Sequence, residues 1–381
     1  MSVYRKLGVR TVINAGGWFT NIGGSLIKKE VLDAMNEAAG SFVFIEELQQ
    51  RAGKVIATIT GAESGLVTAG AAAGLMVAAA ACVTGTDRAK MRRLPETQGM
   101  RNEIIIQRGH HVEFAELVRL AGARLVDVGC SWRTSLDELE AAMTDRSAAI
   151  LHVISHLCVQ RCMLSLPQVV AAAKKQDVPV IVDAASELPP VDNLRRFVES
   201  GADLVVFSGG KAIGGPNDTG FVCGRRDLVE ACALQSSPNM GIGRPMKVSK
   251  EQIIGLITAL ERYVQSDVDA DLMSCDGKIR YLVDELSAIP HMTVERVFPD
   301  ETGCPIPRAK LSLDESRLRL TAGEVANALR NGAPPIVVRE FYVGEGILVL
   351  DAMCLRDGEE CVVAERLQKI LAADRKTGIA P

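Results

Sequence analysis

Runs of Val, Ile and Leu with few polar interruptions recur between residues 65 and 223 and alternate with stretches of helical spacing. Strands are predicted over residues 65–68, 103–107, 124–128, 149–154, 178–183, 203–208 and 220–223. Helices are predicted between them over 71–82, 112–121, 136–143, 167–175 and 194–199. Apolar runs that are continuous rather than alternating mark strands buried on both faces, so the expected class is α/β, with a mostly parallel seven-stranded sheet covered by helices. A Gly-rich arm precedes this region, with Asn14-Ala-Gly-Gly17 and Asn21-Ile-Gly-Gly24, followed by helical stretches over 28–39 and 45–60. After about residue 248 the pattern changes. Two long helical stretches (250–263 and 272–287) lead into strands over 293–297, 309–312, 336–339 and 346–350, with helices over 322–331 and 359–372. The expected organisation is an arm at 1–27, a large domain at 28–248 and a small α+β C-terminal domain at 249–381.

Ligands of open parallel sheets bind beyond the carboxyl ends of the strands. Two chemically distinctive residues are predicted there. Lys211 follows the strand at 203–208 within Ser208-Gly-Gly-Lys-Ala-Ile-Gly-Gly-Pro216, and Asp183 ends the strand at 178–183, 28 positions earlier (211 − 183). A lysine that bonds an aldehyde, with an aspartate for a pyridinium nitrogen, is the protein's share of pyridoxal-phosphate chemistry. The bland readings are a surface lysine in a turn and a carboxylate capping a turn. Small residues on both sides of Lys211 favour the functional one, because so many glycines carry an entropic cost unless something approaches closely. Ala185 is small enough to lie against a ring.

Around this pair the candidates are weaker. Thr68, Ala69, Gly70, Ala71 and Ala72 form a strand–turn–helix junction where backbone N–H groups can take a phosphate, although small residues also allow close helix–sheet packing. Of His110 and His111, one is expected to stack on the coenzyme and the residues alone do not choose between them. Ser155, with His156 and Gln160, is expected at the crevice mouth. His152, His156, Cys158 and Cys162 are close in sequence, but their spacing is not that of a structural zinc site and no metal is expected. Arg339 ends a predicted strand and can clamp a substrate carboxylate or form a surface ion pair. Arg244 and Lys247, or Arg108, can meet a phosphate.

Composition narrows the setting. The 381 residues are 48% hydrophobic and 24% charged, with a formal charge of −4, which supplies no general field for nucleic acid. Ten dispersed cysteines form no disulfide framework, and no apolar stretch suits a leader or a membrane span, so a cytoplasmic protein is expected.

The segments Val12-Ile-Asn-Ala15, Gln107-Arg-Gly109, Val180-Ile-Val-Asp183, Phe207-Ser-Gly-Gly-Lys-Ala-Ile-Gly-Gly-Pro216 and Pro334-Pro-Ile-Val-Val-Arg339 resemble fold-type I (aspartate-aminotransferase-like) pyridoxal-phosphate enzymes. More narrowly, the chain is similar to the selenocysteine-synthase-like group of seryl-tRNA selenium transferases and D-glucosaminate-6-phosphate ammonia-lyases. The His110–His111 pair departs from the transferase pattern. The resemblance implies pyridoxal 5'-phosphate as cofactor, Lys211 as catalytic residue, and a homo-oligomer with its active site at a subunit interface. Asn14, Arg244, Lys247 and Arg339 are the expected substrate contacts. The Val12 motif leaves no room before it for the transferase's tRNA-binding domain, so a small amino-acid substrate is expected rather than nucleic acid or membrane. The expected reaction is α,β-elimination from a hydroxy amino acid to a 2-oxo acid and ammonia. The alternatives are aldolase, aminotransferase, racemase or selenium/sulfur-transferase chemistry at the same lysine, and a non-catalytic binding protein on the same fold.

Overall fold

The computed structural model describes residues 2–300 and 303–372. Among these residues the strands are, in chain order, β1 (Ile13–Ala15), β2 (Ser64–Thr68), β3 (Glu103–Gln107), β4 (Arg124–Val128), β5 (Ser147–Val153), β6 (Val180–Asp183), β7 (Leu204–Ser208), β8 (Gly220–Gly224), β9 (Met292–Val297), β10 (Arg308–Leu313), β11 (Ile336–Val338) and β12 (Ile347–Asp351). The chain divides into two compact units, Ser25–Ser266 and Met1–Gly24 with Asp267–Pro381.

The Ser25–Ser266 unit is built on one seven-stranded sheet in the order β2-β8-β7-β6-β5-β3-β4. Strands β4, β3, β5, β6 and β7 are parallel, and β8 runs antiparallel to both β7 and β2. This is the α/β architecture the apolar runs predict. One sheet face is covered by the helix Gly70–Thr84, most of whose side chains are buried. Its closeness depends on Gly74, where an added Cβ would stand 2.8 Å from Val206 Cγ1. Leu66, Ile104, Ile106, Leu151, Ile181, Val206 and Val222 form the core on that side.

The structure departs from the sequence-based expectation at several points. The segment Glu113–Ala121 is a 3-10 helix. A helix spans Arg226–Gln235, where the mixed polar and apolar sequence gives little periodic signal. The helix Lys250–Gln265 belongs with the seven-stranded sheet's unit, packing on the helices Lys29–Ala39 and Ile45–Thr60, so the expected boundary at 248/249 falls inside a compact unit. Its Ser249 capping box and amphipathic stripe mark a helix start correctly but carry no information on which core the stripe covers.

The other unit joins the N-terminal arm to the C-terminal region. β1 pairs in parallel with β11, Ile13 opposite Ile336, which makes the arm part of this unit and not a separate appendage. Strands β12-β10-β9 form an antiparallel sheet. Leu311, Leu348 and Leu350 from one face of it meet Ile279 and Val325 from the helices in a second core.

Candidate active site

Strand β6 ends at Asp183 and its neighbour β7 ends at Ser208, so the parallel pairing brings the two carboxyl-end loops side by side. Asp183 is 7% exposed. Its Oδ1 accepts a 3.1 Å hydrogen bond from the Ala185 N–H. Burial pushes its carboxyl above the ordinary value, while the Ala185 N–H and the positive charge of Lys211 pull it down. Lys211 Nζ donates a 2.6 Å bond to Ser186 Oγ, in the turn that Asp183 opens. The two chosen residues therefore lie within electrostatic reach of each other at the place the topology reserves for ligands. Ser186 was not anticipated, since a serine beside a turn gives no sequence signal of its own.

The glycines around Lys211 have a more local explanation than ligand approach. The loop folds back on itself, with the Gly209 N–H bonded to Thr219 O at 2.8 Å and the Gly215 N–H to Gly209 O at 2.8 Å. A Cβ on Gly209 would stand 2.4 Å from Thr219 Oγ1, and one on Gly210 would stand 2.5 Å from Asn217 Cα. Gly214 has φ +74 and open space around its Cβ position. At Gly209 and Gly210, contrary to the expectation of ligand approach, small residues are required by the packing of the loop itself. Ser208 pairs with Gly220 across β7 and β8.

At the end of β2, Thr68 Oγ1 donates to Gly70 O at 2.9 Å, shaping the turn before the helix Gly70–Thr84. The Ala69 N-cap provides no side-chain acceptor for the helix's first N–H groups, and Gly70 (φ +81) has nothing near its Cβ position. Ala71 and Ala72 form the first turn. An uncapped N-terminus of a long buried helix is suited to a phosphate.

The structure separates the two histidines that the sequence leaves equivalent. His111 is engaged on both sides, Nδ1 at 2.5 Å from Asp127 Oδ1 and Nε2 at 2.6 Å from Glu116 Oε1. Arg108 joins the same group through a 2.5 Å ion pair with Asp127, which occupies its guanidinium at the edge of the sheet. His110, by contrast, is fully buried at the end of the 3-10 turn Arg108–His110, and neither ring nitrogen has a partner in good hydrogen-bond geometry. Its turn is pinned from behind. The Gln107 side chain bonds the Leu164 N–H and C=O, and the Val159 N–H donates to Gly109 O.

The remaining candidates of this unit are dispersed. Ser155 Oγ accepts from the Leu157 N–H at 3.2 Å and so shapes its own turn, and Gln160 Nε2 donates to Val153 O. His152 meets the His110 ring, Cys162 is exposed, and Cys158 is pushed up to about 12 by burial and by the nearby Asp183 and Glu187 charges. Among the described residues no three His, Cys, Asp or Glu side chains are arranged to hold a metal ion. Arg244 is half-buried and Lys247 exposed, in the segment that joins the helix Arg226–Gln235 to Lys250–Gln265.

In the other unit Asn14 and Arg339 come together through the backbone. The Asn14 side chain accepts from the Gly16 N–H at 3.0 Å and donates to Gly17 O at 2.8 Å, closing a turn. Arg339 Nη1 reaches Gly16 O at 3.4 Å and lies 3.9 Å from Asp351 Oδ2. The guanidinium stands 5.8 Å from the Phe19 ring centre and 5.1 Å from that of Phe341. Arg339 is 6% exposed, so the surface ion pair is not its setting. A buried, stacked guanidinium is the form suited to bidentate binding of a carboxylate.

The sequence pattern of the L-seryl-tRNA selenium transferases matches residues 12–297. The chain belongs to this family. Among its relatives is the D-glucosaminate-6-phosphate ammonia lyase of Salmonella typhimurium, 37% identical over 97% of this chain and 98% of that protein. The 5'-C-glycyluridine monooxygenase-decarboxylase of a Streptomyces species is 39% identical over 97% and 92% of the two chains. A structure of D-glucosaminate-6-phosphate ammonia-lyase superposes with a TM-score of 0.86, covering 98% of this chain and 99% of that one at 36% identity. At 16% identity a serine palmitoyltransferase of S. paucimobilis shares the fold, with a TM-score of 0.61 over 95% and 88% of the chains. Family and fold together make this member an enzyme of the fold-type I pyridoxal-phosphate class. Its own residues suit that coenzyme: a lysine and a buried carboxylate at adjacent strand ends, an uncapped helix N-terminus, and a buried imidazole with no hydrogen bond.

Proposed function

We propose that this protein is a pyridoxal-phosphate-dependent ammonia-lyase that removes the β-hydroxyl and the amine from a small polyhydroxy amino acid of the D-glucosaminate 6-phosphate type. The observation that carries the reading is the placement of Lys211 and Asp183 at the carboxyl ends of β7 and β6, with the Lys211 charge acting on a buried Asp183. The bound coenzyme supplies an electron-withdrawing ring that delocalises charge from the substrate α-carbon.

Around it each residue has a task. Lys211 would hold the coenzyme through its aldehyde, and its amine would take the proton from the substrate α-carbon. Asp183 keeps a proton on the pyridine nitrogen, which preserves the ring's pull on electrons. Thr68, with the N–H groups of Ala71 and Ala72, receives the coenzyme phosphate. His110 would pack its ring on the coenzyme, and Ala185 and Ser208 would complete the lining. Arg339, in the turn shaped by Asn14, takes the substrate carboxylate, and Arg244 or Lys247 a distal phosphate. Loss of the β-hydroxyl as water leaves an enamine, whose hydrolysis returns a water and yields a 2-oxo acid and ammonia. We place this enzyme in the cytoplasm as a homo-oligomer without a nucleic-acid partner, in keeping with its acidic charge. Among the described residues no helix is long and apolar enough to cross a membrane.

The test is to incubate coenzyme-saturated protein with D-glucosaminate 6-phosphate and its unphosphorylated form. Equal amounts of ammonia and 2-oxo acid are expected; coenzyme-loaded protein that releases neither from any hydroxy amino acid overturns the assignment. The similarity to the Streptomyces monooxygenase-decarboxylase favours a second reading, oxidative decarboxylation, and oxygen uptake with carbon dioxide release in the same vessel would identify it.

A further inference from the structure

Two buried imidazoles meet in the large unit, and only one of them has a role so far. His110 is 0% exposed and His152, on β5, is 4% exposed. Their ring centres are 4.8 Å apart at an interplanar angle of 85°, an edge-to-face contact. Both nitrogens of His110 and Nδ1 of His152 are buried without a hydrogen bond. Buried polar groups without good partners are costly, so a core under selection for stability alone would place apolar side chains here. The positive edge of one ring against the negative face of the other gives the pair a defined geometry that a loose apolar contact would lack.

The surroundings fix one partner more firmly than the other. His152 stands on a central strand, in register with Val182 of β6. His110 stands on a short 3-10 turn, and neither ring nitrogen has a partner in good hydrogen-bond geometry, the Gln160 side chain being the polar group nearest to interact with it. Burial lowers His110 to about 4, with the Gln160 amide pulling the other way, and it lowers His152 to about 3. Near neutral pH both rings are therefore uncharged, and neither repels the other.

We infer that His152 is a positioning residue, whose ring, set on the rigid β5 strand, holds the His110 ring in one orientation for packing on the coenzyme. This inference rests on the reading of Lys211, Asp183 and His110 as coenzyme-binding residues. It also gives His152 a role other than that of a metal ligand.

Two measurements test it. The first is a double-mutant cycle on coenzyme affinity, followed by absorbance and fluorescence, with His110→Ala, His152→Ala and the pair. His152→Ala is expected to weaken binding about tenfold, an edge-to-face contact being worth about 1 kcal/mol or somewhat more. In the His110→Ala background the same change is expected to cost almost nothing, and His152→Phe, which keeps a ring, is expected to restore affinity. Additive losses overturn the inference and leave the Lys211 assignment standing, because binding is still being measured. Wild-type protein that takes up no coenzyme sinks both. The second measurement needs no coenzyme. The chain has five histidines, few enough for their ring signals to be resolved by NMR with labelled histidine. His152→Ala is expected to shift and broaden the His110 ring signals; a His110 spectrum identical to wild type overturns the inference.

Discussion

Lys211 Nζ and Ser186 Oγ are joined by a 2.6 Å hydrogen bond, and this contact ties the lysine loop to the turn that carries Asp183. The lysine is thereby anchored to a hydroxyl, with its charge acting on the buried Asp183 carboxyl. Charge and nucleophilicity can be separated here. Lys211→Arg keeps a cation within reach of Ser186, but arginine does not deprotonate in proteins. Lys211→Arg and Lys211→Ala are both expected to fold, to lack the visible absorbance of the coenzyme-bound protein, and to lose at least about 10³-fold in turnover. Retained turnover in either would remove Lys211 from catalysis.

Asp183 makes coenzyme-free protein less stable as pH rises. Its carboxyl is pushed above the ordinary value of 3.8, chiefly by burial. Between 3.8 and the raised value the folded protein holds more protons than the unfolded chain, so stability falls with increasing pH across that window. Asp183→Asn carries no charge to bury. Its coenzyme-free form is expected to melt at a higher temperature than wild type at pH 8, with the gap closing toward pH 4, while coenzyme retention and turnover drop. Identical melting curves at both pH values would mean that the buried carboxylate costs nothing.

The parallel sheet was legible because its strands are buried on both faces and therefore read as unbroken apolar runs, as in Leu204–Ser208. Once the sheet is known, Asp183 and Lys211 follow, since strand ends are where such sheets bind. What was not legible depends on partners that no local pattern reveals. β1 is specified by pairing with β11, more than 300 residues away, so the arm reads as a tail. The helix Lys250–Gln265 looks like the start of a new domain because periodicity shows which face is apolar and not what covers it. The fates of His110 and His111 are decided by Asp127 on β4 and by Glu116, which no local pattern connects to them. The crowded glycines at 209 and 210 answer to Asn217 and Thr219, a backbone requirement that imitates a ligand site in sequence.

The two adjacent histidines are expected to behave oppositely on substitution. His111 is hydrogen-bonded to two carboxylates in an exposed setting, and exposed polar pairs of this kind contribute about 0–1 kcal/mol. His111→Gln should therefore change coenzyme affinity and kcat/KM by less than about fivefold. His110→Ala removes a buried ring from the proposed coenzyme site and should weaken coenzyme binding by tenfold or more on the same grounds as other aromatic stacking losses, about 1 kcal/mol upward. Titration of both variants with the coenzyme distinguishes them, and the reverse order of effects would transfer the stacking role to His111.

Gly210 and Gly214 flank Lys211 but differ in what a methyl group would meet. At Gly210 it would stand 2.5 Å from the Asn217 backbone, whereas at Gly214 it would meet open space at a φ of +74. Gly214→Ala is expected to cost about 1 kcal/mol of backbone strain and to leave coenzyme binding measurable. Gly210→Ala forces the loop apart and is expected to abolish binding while the rest of the sheet still folds. Circular dichroism with coenzyme titration reads both, and a Gly210→Ala protein that binds normally would show that the loop tolerates displacement.

Asp351 is the centre of a buried charge cluster, and distances within it determine which arginine depends on it most. Its Oδ2 lies 3.1 Å from Arg308 Nε and 3.9 Å from Arg339 Nη1. Arg308 also pairs with Asp300 at 3.1 Å, and the side chains of Arg308 and Asp351 are 6% and 2% exposed. Removing one member of a buried pair leaves the other charge in a low-dielectric interior, which costs about 3–5 kcal/mol, whereas replacing both with apolar groups can be nearly neutral. Asp351→Leu alone is therefore expected to lower stability to urea by that amount. Arg308→Met added to Asp351→Leu should recover part of the loss, the rest being held back because Asp300 loses its ion pair with Arg308. Arg339→Met added to Asp351→Leu should recover less, because the longer contact means that less of the carboxylate's attraction goes to Arg339. If the Arg339 combination proves the more stable of the two, the longer contact is the stronger one, and the carboxylate is spent on the residue proposed to bind substrate.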